Sequence, residues 1–255
     1  MRPSEMGAEA SGPTDTVYPG HRVLLMFPVY NEGPKLNQLA AKLRDGLVDK
    51  IIAVNDGSTD ESPELLRAHG VEVVDQPHSG LGAAIKRAVG YAREHGYDIL
   101  VIMAGNNKDD PAEAPRLVEP IVYEGFDYIQ GSRFLPGGSS PNLPLFRWVS
   151  IKLLSFLFTI YSFKRCTDLT NGFRAYRISL LDDPRIDISQ DWLDSYEYEY
   201  YVHCKAYWLG HKVKEVAVTK AYPAEKGVAY TKISPITGWW RMLRPIVLLA
   251  LRIKK

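Results

Sequence analysis

The sequence predicts an α/β fold: a mostly parallel sheet flanked by helices, with an amphipathic helix at the C-terminus. Two observations carry this reading. Four short apolar runs, 23–27, 51–54, 71–74 and 99–103, are each bounded by turn residues, as strands buried on both faces are. Between them apolar residues recur at helical spacing: Leu36, Leu39, Ala40 and Leu43, then Leu81, Ala84, Ile85, Ala88, Val89 and Ala92. Such alternation is the pattern of βαβ units, whose crossovers leave neighbouring strands parallel.

The elements follow in order. Residues 1–20 are rich in Pro, Gly, Ser, Thr and Glu, contain no apolar stretch able to act as a secretory signal, and read as a disordered tail. Residues 21–235 read as one α/β domain. Past Pro111, Leu117, Ile121 and Val122 mark a further helix, and 128–131 a further strand. Residues 135–144 hold three Pro, two Gly and two Ser, which predicts a mobile loop. Residues 145–163 are helical in pattern and strongly aromatic, with Arg147 and Lys152 as their only charges; periodicity favours a buried core helix over one lying in a bilayer interface. In 236–255, Trp239, Trp240, Leu243, Ile246 and Val247 are interleaved with Arg241, Arg244, Arg252, Lys254 and Lys255, a mixture that suits a basic helix on a membrane surface better than a docked one. No run reaches the ~18 uninterrupted apolar residues of a membrane span, so the chain is expected to lie on a membrane without crossing it.

Lys and Arg number 31 against 30 Asp and Glu, and a net charge of +1 argues against a nucleic-acid binder. The charge is uneven: from Lys205 onward eleven Lys and Arg meet only Glu215 and Glu225, which predicts an anionic partner for that part. Cys166 and Cys204 form no CxxC or Cys/His cluster, so neither a disulfide framework nor a zinc site is expected, and a reducing, cytoplasmic setting fits. The histidines pair at no metal-ligand spacing, and surface or core roles are expected for them.

In an open parallel sheet, ligands bind where loops diverge from the carboxyl ends of strands. Two polar segments sit there, Pro28-Val29-Tyr30-Asn31-Glu32 and Asn55-Asp56-Gly57-Ser58-Thr59-Asp60. Asp56 can accept hydrogen bonds from a nucleobase N–H or a ribose hydroxyl, or can merely build a tight turn with Gly57. Gly80-Leu81-Gly82 opens a helix able to cradle phosphate, but Ile85 stands where the dinucleotide fingerprint requires its last glycine, so no Rossmann cofactor is expected.

Together with Gly131-Ser132-Arg133-Phe134 and Asp168-Leu169-Thr170-Asn171-Gly172-Phe173-Arg174, these segments occur in an order that resembles the inverting family-two glycosyltransferases of GT-A fold, in particular the dolichol- or polyprenyl-phosphate hexosyltransferases. The resemblance implies that Pro28, Tyr30, Glu32, Val54 and Asp56 hold the donor's base and ribose, with Gly105 and Asn106 beside its diphosphate. It implies that Arg133 and Arg147 face the acceptor phosphate. Lys226 and Lys232 match, loosely, a loop that closes over the donor, with Lys226 in place of Arg, Ala229 of Gly and Thr231 of Ser.

One departure stands out. Where the family writes Asp-Ala-Asp-Gly-Gln, whose side chains hold a divalent metal on the diphosphate, this chain has Ala104-Gly105-Asn106-Asn107-Lys108. Mg²⁺ and Mn²⁺ want hard oxygen ligands, so no metal site is expected, and Lys108 is predicted to put its charge where the metal would sit. Asp109 and Asp110 could form a displaced metal site, but capping the helix entered through Pro111 is the preferred reading.

The expected activity is transfer of a hexose from a UDP- or GDP-hexose to a polyprenyl phosphate, by a peripheral protein on the cytoplasmic face of the membrane. A phosphate acceptor is already ionised and needs no strong base. A soluble hydroxyl acceptor, the first alternative, needs a carboxylate; Asp168 is the candidate unless it merely pairs with Arg174, and Glu197 and Glu199 are weaker candidates whose alternative is to face solvent on a helix. The second alternative is a non-catalytic nucleotide-binding relative that has lost its metal carboxylates.

Overall fold

The four apolar runs are strands β1 (Val23–Val29), β2 (Lys50–Asp56), β3 (Glu72–Gln76) and β4 (Ile99–Ile102). The structure is a computed structural model that describes residues 16–33, 35–223, 237–251 and 253–254. With β5 (Tyr128–Ser132), β6 (Arg174–Arg177) and β7 (Val213–Ala217) the strands form one seven-stranded sheet in the order β3-β2-β1-β4-β6-β5-β7. Only β6 runs against its neighbours β4 and β5; the other pairings are parallel.

Period-two alternation along β1 feeds two cores. Leu24 and Met26 point to one side and pack with Ile52, Val54, Leu100 and Ile102 beneath α3 (Leu81–Glu94) and α6 (Glu197–Trp208). Val23, Leu25 and Phe27 point to the other and pack with Leu36 of α1 (Lys35–Ala40), Leu66 of α2 (Ser62–Ala68), and Leu117 and Ile121 of α4 (Ala114–Glu124). Both faces are covered, which is why the central strands are uninterruptedly apolar.

A third core is built by Leu154 and Phe158 of α5 (Leu145–Ser162) with Cys166, Leu169, and Tyr200, Cys204 and Tyr207 of α6. Here the structure corrects several expectations. The segment expected as a core helix is α5, but only Ile151, Leu154, Ser155 and Phe158 are buried, a single stripe at spacings of three and four. The remaining apolar surface faces outward: Leu145, Phe146, Val149, Leu153, Phe156, Leu157, Ile160 and Phe163 are all exposed. Its 18 residues reach a mean hydropathy of 1.3, so by length and composition alone it is long and apolar enough to cross a membrane, contrary to expectation.

The C-terminal helix α7 (Thr237–Ala250) is docked by one face: Leu243, Ile246 and Leu249 pack on the third core, and Arg244 reaches Glu197 at 3.5 Å. The expectation that it belongs wholly to a membrane surface therefore does not hold for that face, while Val247, Leu251 and Ile253 beyond it are exposed. Residues 16–20 are not part of a tail either. Tyr18 is buried and bonds to the Leu47 carbonyl, and the Val17 N–H donates to Asp49. Residues 1–15 lie outside the described residues.

The buried stripe and the exposed face of α5 make a contrast that can be measured. Phe158→Ala is expected to lower the unfolding free energy by about 3–5 kcal/mol, the cost of a large cavity in a core. Phe156→Ala, two residues earlier on the open face, is expected to change it by less than about 0.5 kcal/mol. Urea denaturation of the two variants checks both values.

Candidate active site

The loops after β1, β2 and β4 converge at the carboxyl ends of the parallel strands, and side chains from each tie down the others. Asn31, itself at φ 50°, accepts from the Thr59 N–H through its side-chain oxygen. Ser62 Oγ accepts from the N–H groups of Glu32 and Gly33. Gly105 crosses directly over β1: a methyl group there would sit 2.4 Å from the Pro28 carbonyl oxygen, so no larger residue fits. Pro28, Tyr30, Glu32, Asp56, Gly105 and Asn106 thus lie together at the carboxyl ends of β1, β2 and β4. Val54 does not join them; it is fully buried in the core, and its expected place in the donor site is corrected.

Asp56 is buried and heavily engaged. Its Oδ1 accepts from Gln76 Nε2 at 2.7 Å and the Ser79 N–H at 2.8 Å; its Oδ2 accepts from the Gly80 N–H at 2.9 Å and lies 2.9 Å from His78 Nδ1. The His78 ring in turn stacks on Tyr30, with centroids 4.1 Å apart and planes 18° from parallel. A planar ring is therefore already accommodated beside Tyr30 within reach of Asp56, in the manner a nucleobase would use. His78 belongs to this site, although nothing in its sequence spacing marked it. Gly80 and Gly82, candidate phosphate-cradling residues, are instead pressed against 193–195: added methyl groups would meet Asp194 and Leu193 carbonyl oxygens, and the Ala83 N–H donates to Asp194.

A cationic cluster lies around Tyr222. Lys108 Nζ is 5.2 Å from the centre of the Tyr222 ring and the Arg147 guanidinium 5.8 Å from it, while Arg133 Nη1 donates to the Tyr222 hydroxyl at 2.9 Å. Arg147 comes from the first turn of α5. Beneath them Lys220, 8% exposed, donates at 2.7 Å to both oxygens of the buried Asp109. Burial, then the Lys220 and Arg147 charges, pull the Lys108 ammonium down to about 8.

Arg133 and Asp168 are not placed as expected. Asp168 is fully buried and takes Arg133 Nε and Nη2 at 2.6 Å each, a two-pronged ion pair, and accepts the Arg133 N–H as well. Burial alone would lower the guanidinium, yet the Asp168 charge holds it above its ordinary value. The carboxylate is therefore committed to Arg133, not to Arg174 and not to solvent. Arg174 donates instead to the carbonyls of Asn171 and Glu199 and to the Tyr128 hydroxyl. Glu197 and Glu199, the weaker base candidates, do not face solvent and are largely enclosed at the start of α6. Lys226 and Lys232 lie outside the described residues.

Among the described residues, the side chains at this turn do not make a donor set suited to a divalent metal. Ala104 and Gly105 offer no side-chain oxygen, Asn106 Oδ1 accepts from the Lys108 N–H, and Asp109 is occupied by Lys220 and by the Ala104 N–H. Asp110 caps the turn at Pro111 by accepting from the Ala112 N–H, as preferred from the sequence. Among the described residues no group of three or more His, Cys, Asp or Glu could hold a metal. Several of the C-terminal cations are also matched within the chain, Lys214 by Glu124, Lys220 by Asp109 and Arg244 by Glu197, which reduces the surplus expected to meet an anionic partner.

Residues 25–185, more than half of the chain, match the family model described as glycosyl transferase family 2. The chain belongs to that family. Among family 2 relatives, the polyprenol monophosphomannose synthase of Mycolicibacterium smegmatis is 30% identical over 85% of this chain and 84% of its own length. The undecaprenyl-phosphate mannosyltransferase of Micrococcus luteus is 31% identical over 78% of this chain and 83% of its own. The fold matches glucosyl-3-phosphoglycerate synthase from Mycobacterium tuberculosis, solved with Mn²⁺, UDP and its product, at a TM-score of 0.66 and 18% identity, over 92% of this chain and 82% of that one. As a family 2 glycosyltransferase the chain is a nucleotide-sugar-dependent enzyme with a GT-A fold.

A diphosphate held by Lys108 would bind with a pH dependence. Its ammonium, faced by Lys220, Arg147, Asp109 and Glu32, is charged below about pH 8 and loses that charge as pH rises through this value. An anionic ligand binds the charged form, so calorimetric affinity for UDP or GDP is expected to fall above about pH 8, by up to about tenfold per unit. Lys108→Arg is expected to flatten the profile.

Proposed function

We propose that this enzyme transfers a hexose from UDP- or GDP-hexose to a polyprenyl phosphate, with α5 seated in the surface of the cytoplasmic leaflet. One observation carries the proposal: the helix that brings Arg147 to the cationic cluster also presents an open apolar face. An acceptor with a phosphate head and a hydrocarbon tail needs both features side by side. Trp148 and Tyr161 are exposed at the two ends of α5, and Lys164 and Arg165 follow it, placing amphipathic rings and cations where lipid headgroups would lie. The helix is held to the domain along Leu154 and Phe158, which fits lying in an interface better than spanning it.

In this reading an ionised phosphate oxygen, positioned by Arg147, attacks the anomeric carbon from the side opposite the nucleotide. The bond from that carbon to the diphosphate breaks, its electron pair leaves with the nucleoside diphosphate, and the centre inverts. No carboxylate base is required. Asp168, which a hydroxyl acceptor would need as base, is locked by Arg133, and this weighs against a soluble hydroxyl acceptor. The relatives' names, a polyprenol and an undecaprenyl-phosphate mannose transferase, support the same acceptor class.

The test pairs flotation with transfer. Vesicles of phosphatidylcholine and phosphatidylglycerol carrying undecaprenyl phosphate are expected to float the wild type and to accept labelled hexose from one of the two donors. Leu153→Glu with Phe156→Glu is expected to reduce flotation at least about tenfold and to raise the lipid acceptor's KM, without altering nucleotide affinity. Unchanged flotation and acceptor KM in that variant would remove α5 from the proposal.

A further inference from the structure

The end of α5 remote from Arg147 borders a cavity of about 550 Å³, a size within the roughly 300–1,000 Å³ usual for small-ligand sites. Lys164, Arg165 and Lys212 line it together with Phe126, Leu135 and Glu215. The chain enters it by a sharp turn. Past Ser162, Phe163 takes a left-handed φ of 54°, and Lys164 turns back so that its ammonium donates to the Tyr207 carbonyl of α6 at 2.9 Å. Lys212 comes from the turn between α6 and β7. Among the described residues no carboxylate pairs with any of these three cations, whereas Lys214, two residues after Lys212, is matched by Glu124 at 2.7 Å. His211 also borders the cavity, but its ring nitrogens already face Asp127 at 3.8 Å and Asp183 at 3.4 Å. Both oxygens of Glu215 are engaged by the Thr167 N–H, and burial raises this carboxyl above its usual range.

We propose that this cavity binds the phosphate headgroup of an anionic phospholipid, at a site separate from that of the acceptor. That the phosphate arrives on a lipid rests on the reading of α5 as an interfacial helix given above. Cations at the end of a helix offset its carbonyl dipole. This accounts for Lys164 and Arg165 but not for Lys212, which belongs to another element. Two ammonium groups and a guanidinium fork around one cavity suit the oxygens of a phosphate, and the apolar wall beside them suits the glycerol carbons. Leu157, Ile160 and Phe163, the last 94% exposed, carry the apolar face of α5 up to Lys164 and offer a track for the acyl chains. The helical rise puts the last residue of α5 about 22 Å along the axis from Arg147, so one lipid phosphate cannot serve both ends. Headgroup contacts at both ends would keep the helix parallel to the membrane surface.

Short-chain lipid on the full chain tests the site without a membrane. Monomeric dihexanoyl phosphatidylglycerol is expected to bind saturably in calorimetry, one molecule per chain, with dihexanoyl phosphatidylcholine and inorganic phosphate each at least about tenfold weaker. Arg165→Gln with Lys212→Gln is expected to weaken the phosphatidylglycerol affinity by between about tenfold and about a hundredfold. Lys164 is kept in that variant because it also holds the Tyr207 carbonyl. Arg44→Gln with Arg87→Gln removes the same charge from exposed positions elsewhere and is expected to change the affinity less than about threefold. Equal losses in the two double variants, or binding that does not saturate, means general charge attraction and overturns the proposal. Inorganic phosphate that binds as tightly as the lipid makes the ligand a soluble phosphate and also overturns it. Flotation on phosphatidylcholine and phosphatidylglycerol vesicles separates this site from the reading of α5. A wild type that floats but does not bind the short-chain lipid overturns the headgroup site alone, whereas one that binds the lipid but does not float overturns the interfacial helix and supports the site.

Discussion

The buried ion pair between Arg133 and Asp168 is the interaction on which the site depends. It joins the loop after β5 to the loop before β6, and through the Tyr222 hydroxyl it reaches the segment after β7. Glu215 of β7 completes the frame by accepting the N–H groups of Thr167 and Asp168. Burial raises Glu215 above the usual carboxylate range, and those backbone donors counter it. An ion pair so enclosed is tolerated only when both charges are fully hydrogen-bonded, and removing one partner strands the other at a cost of about 3–5 kcal/mol. Through its bond to the Tyr222 hydroxyl, the Arg133–Asp168 pair fixes the ring around which Lys108 and Arg147 gather.

A second constraint is the union of charge and apolar surface on α5. Its buried stripe is narrow, so the helix is firmly held while most of its surface stays open, and its first turn carries Arg147 to Tyr222. In the proposed function, one rigid element would address both the phosphate end and the hydrocarbon end of a lipid acceptor. Placing both functions on one helix fixes the distance between them without a separate domain.

Much of the fold was legible because the central strands are buried on both faces and the helices between them on one, so periodicity separates the two. β6 and α6 were not legible for the opposite reason. Arg174-Ala175-Tyr176-Arg177 forms a strand whose first arginine is buried among carbonyls, and α6 is enclosed on nearly all sides and so carries no polar face to betray its period. α5 misled because an apolar helix in a soluble core and one facing lipid have the same periodicity, and only the packing decides. In the site, the motifs picked out Tyr30 and Asp56, which the structure joins through His78, and Lys108 and Arg147, which it gathers around Tyr222. They did not reveal Tyr222, Lys220 or His78, which reach these residues from distant segments with unremarkable spacing. Nor did they reveal that Arg133 and Asp168 neutralise each other, since that depends on a contact between residues 35 positions apart.

The most direct test of the central claim is to replace the Arg133–Asp168 pair with apolar side chains and measure unfolding and transfer together. Arg133→Met and Asp168→Leu are each expected to lose about 3–5 kcal/mol, and the double variant to regain at least about half of that loss. If the pair only positions the site, the refolded double variant keeps kcat and acceptor KM within about fivefold of the wild type. A double variant that regains its stability yet no longer transfers sugar would contradict the account and put Arg133 in contact with the acceptor phosphate.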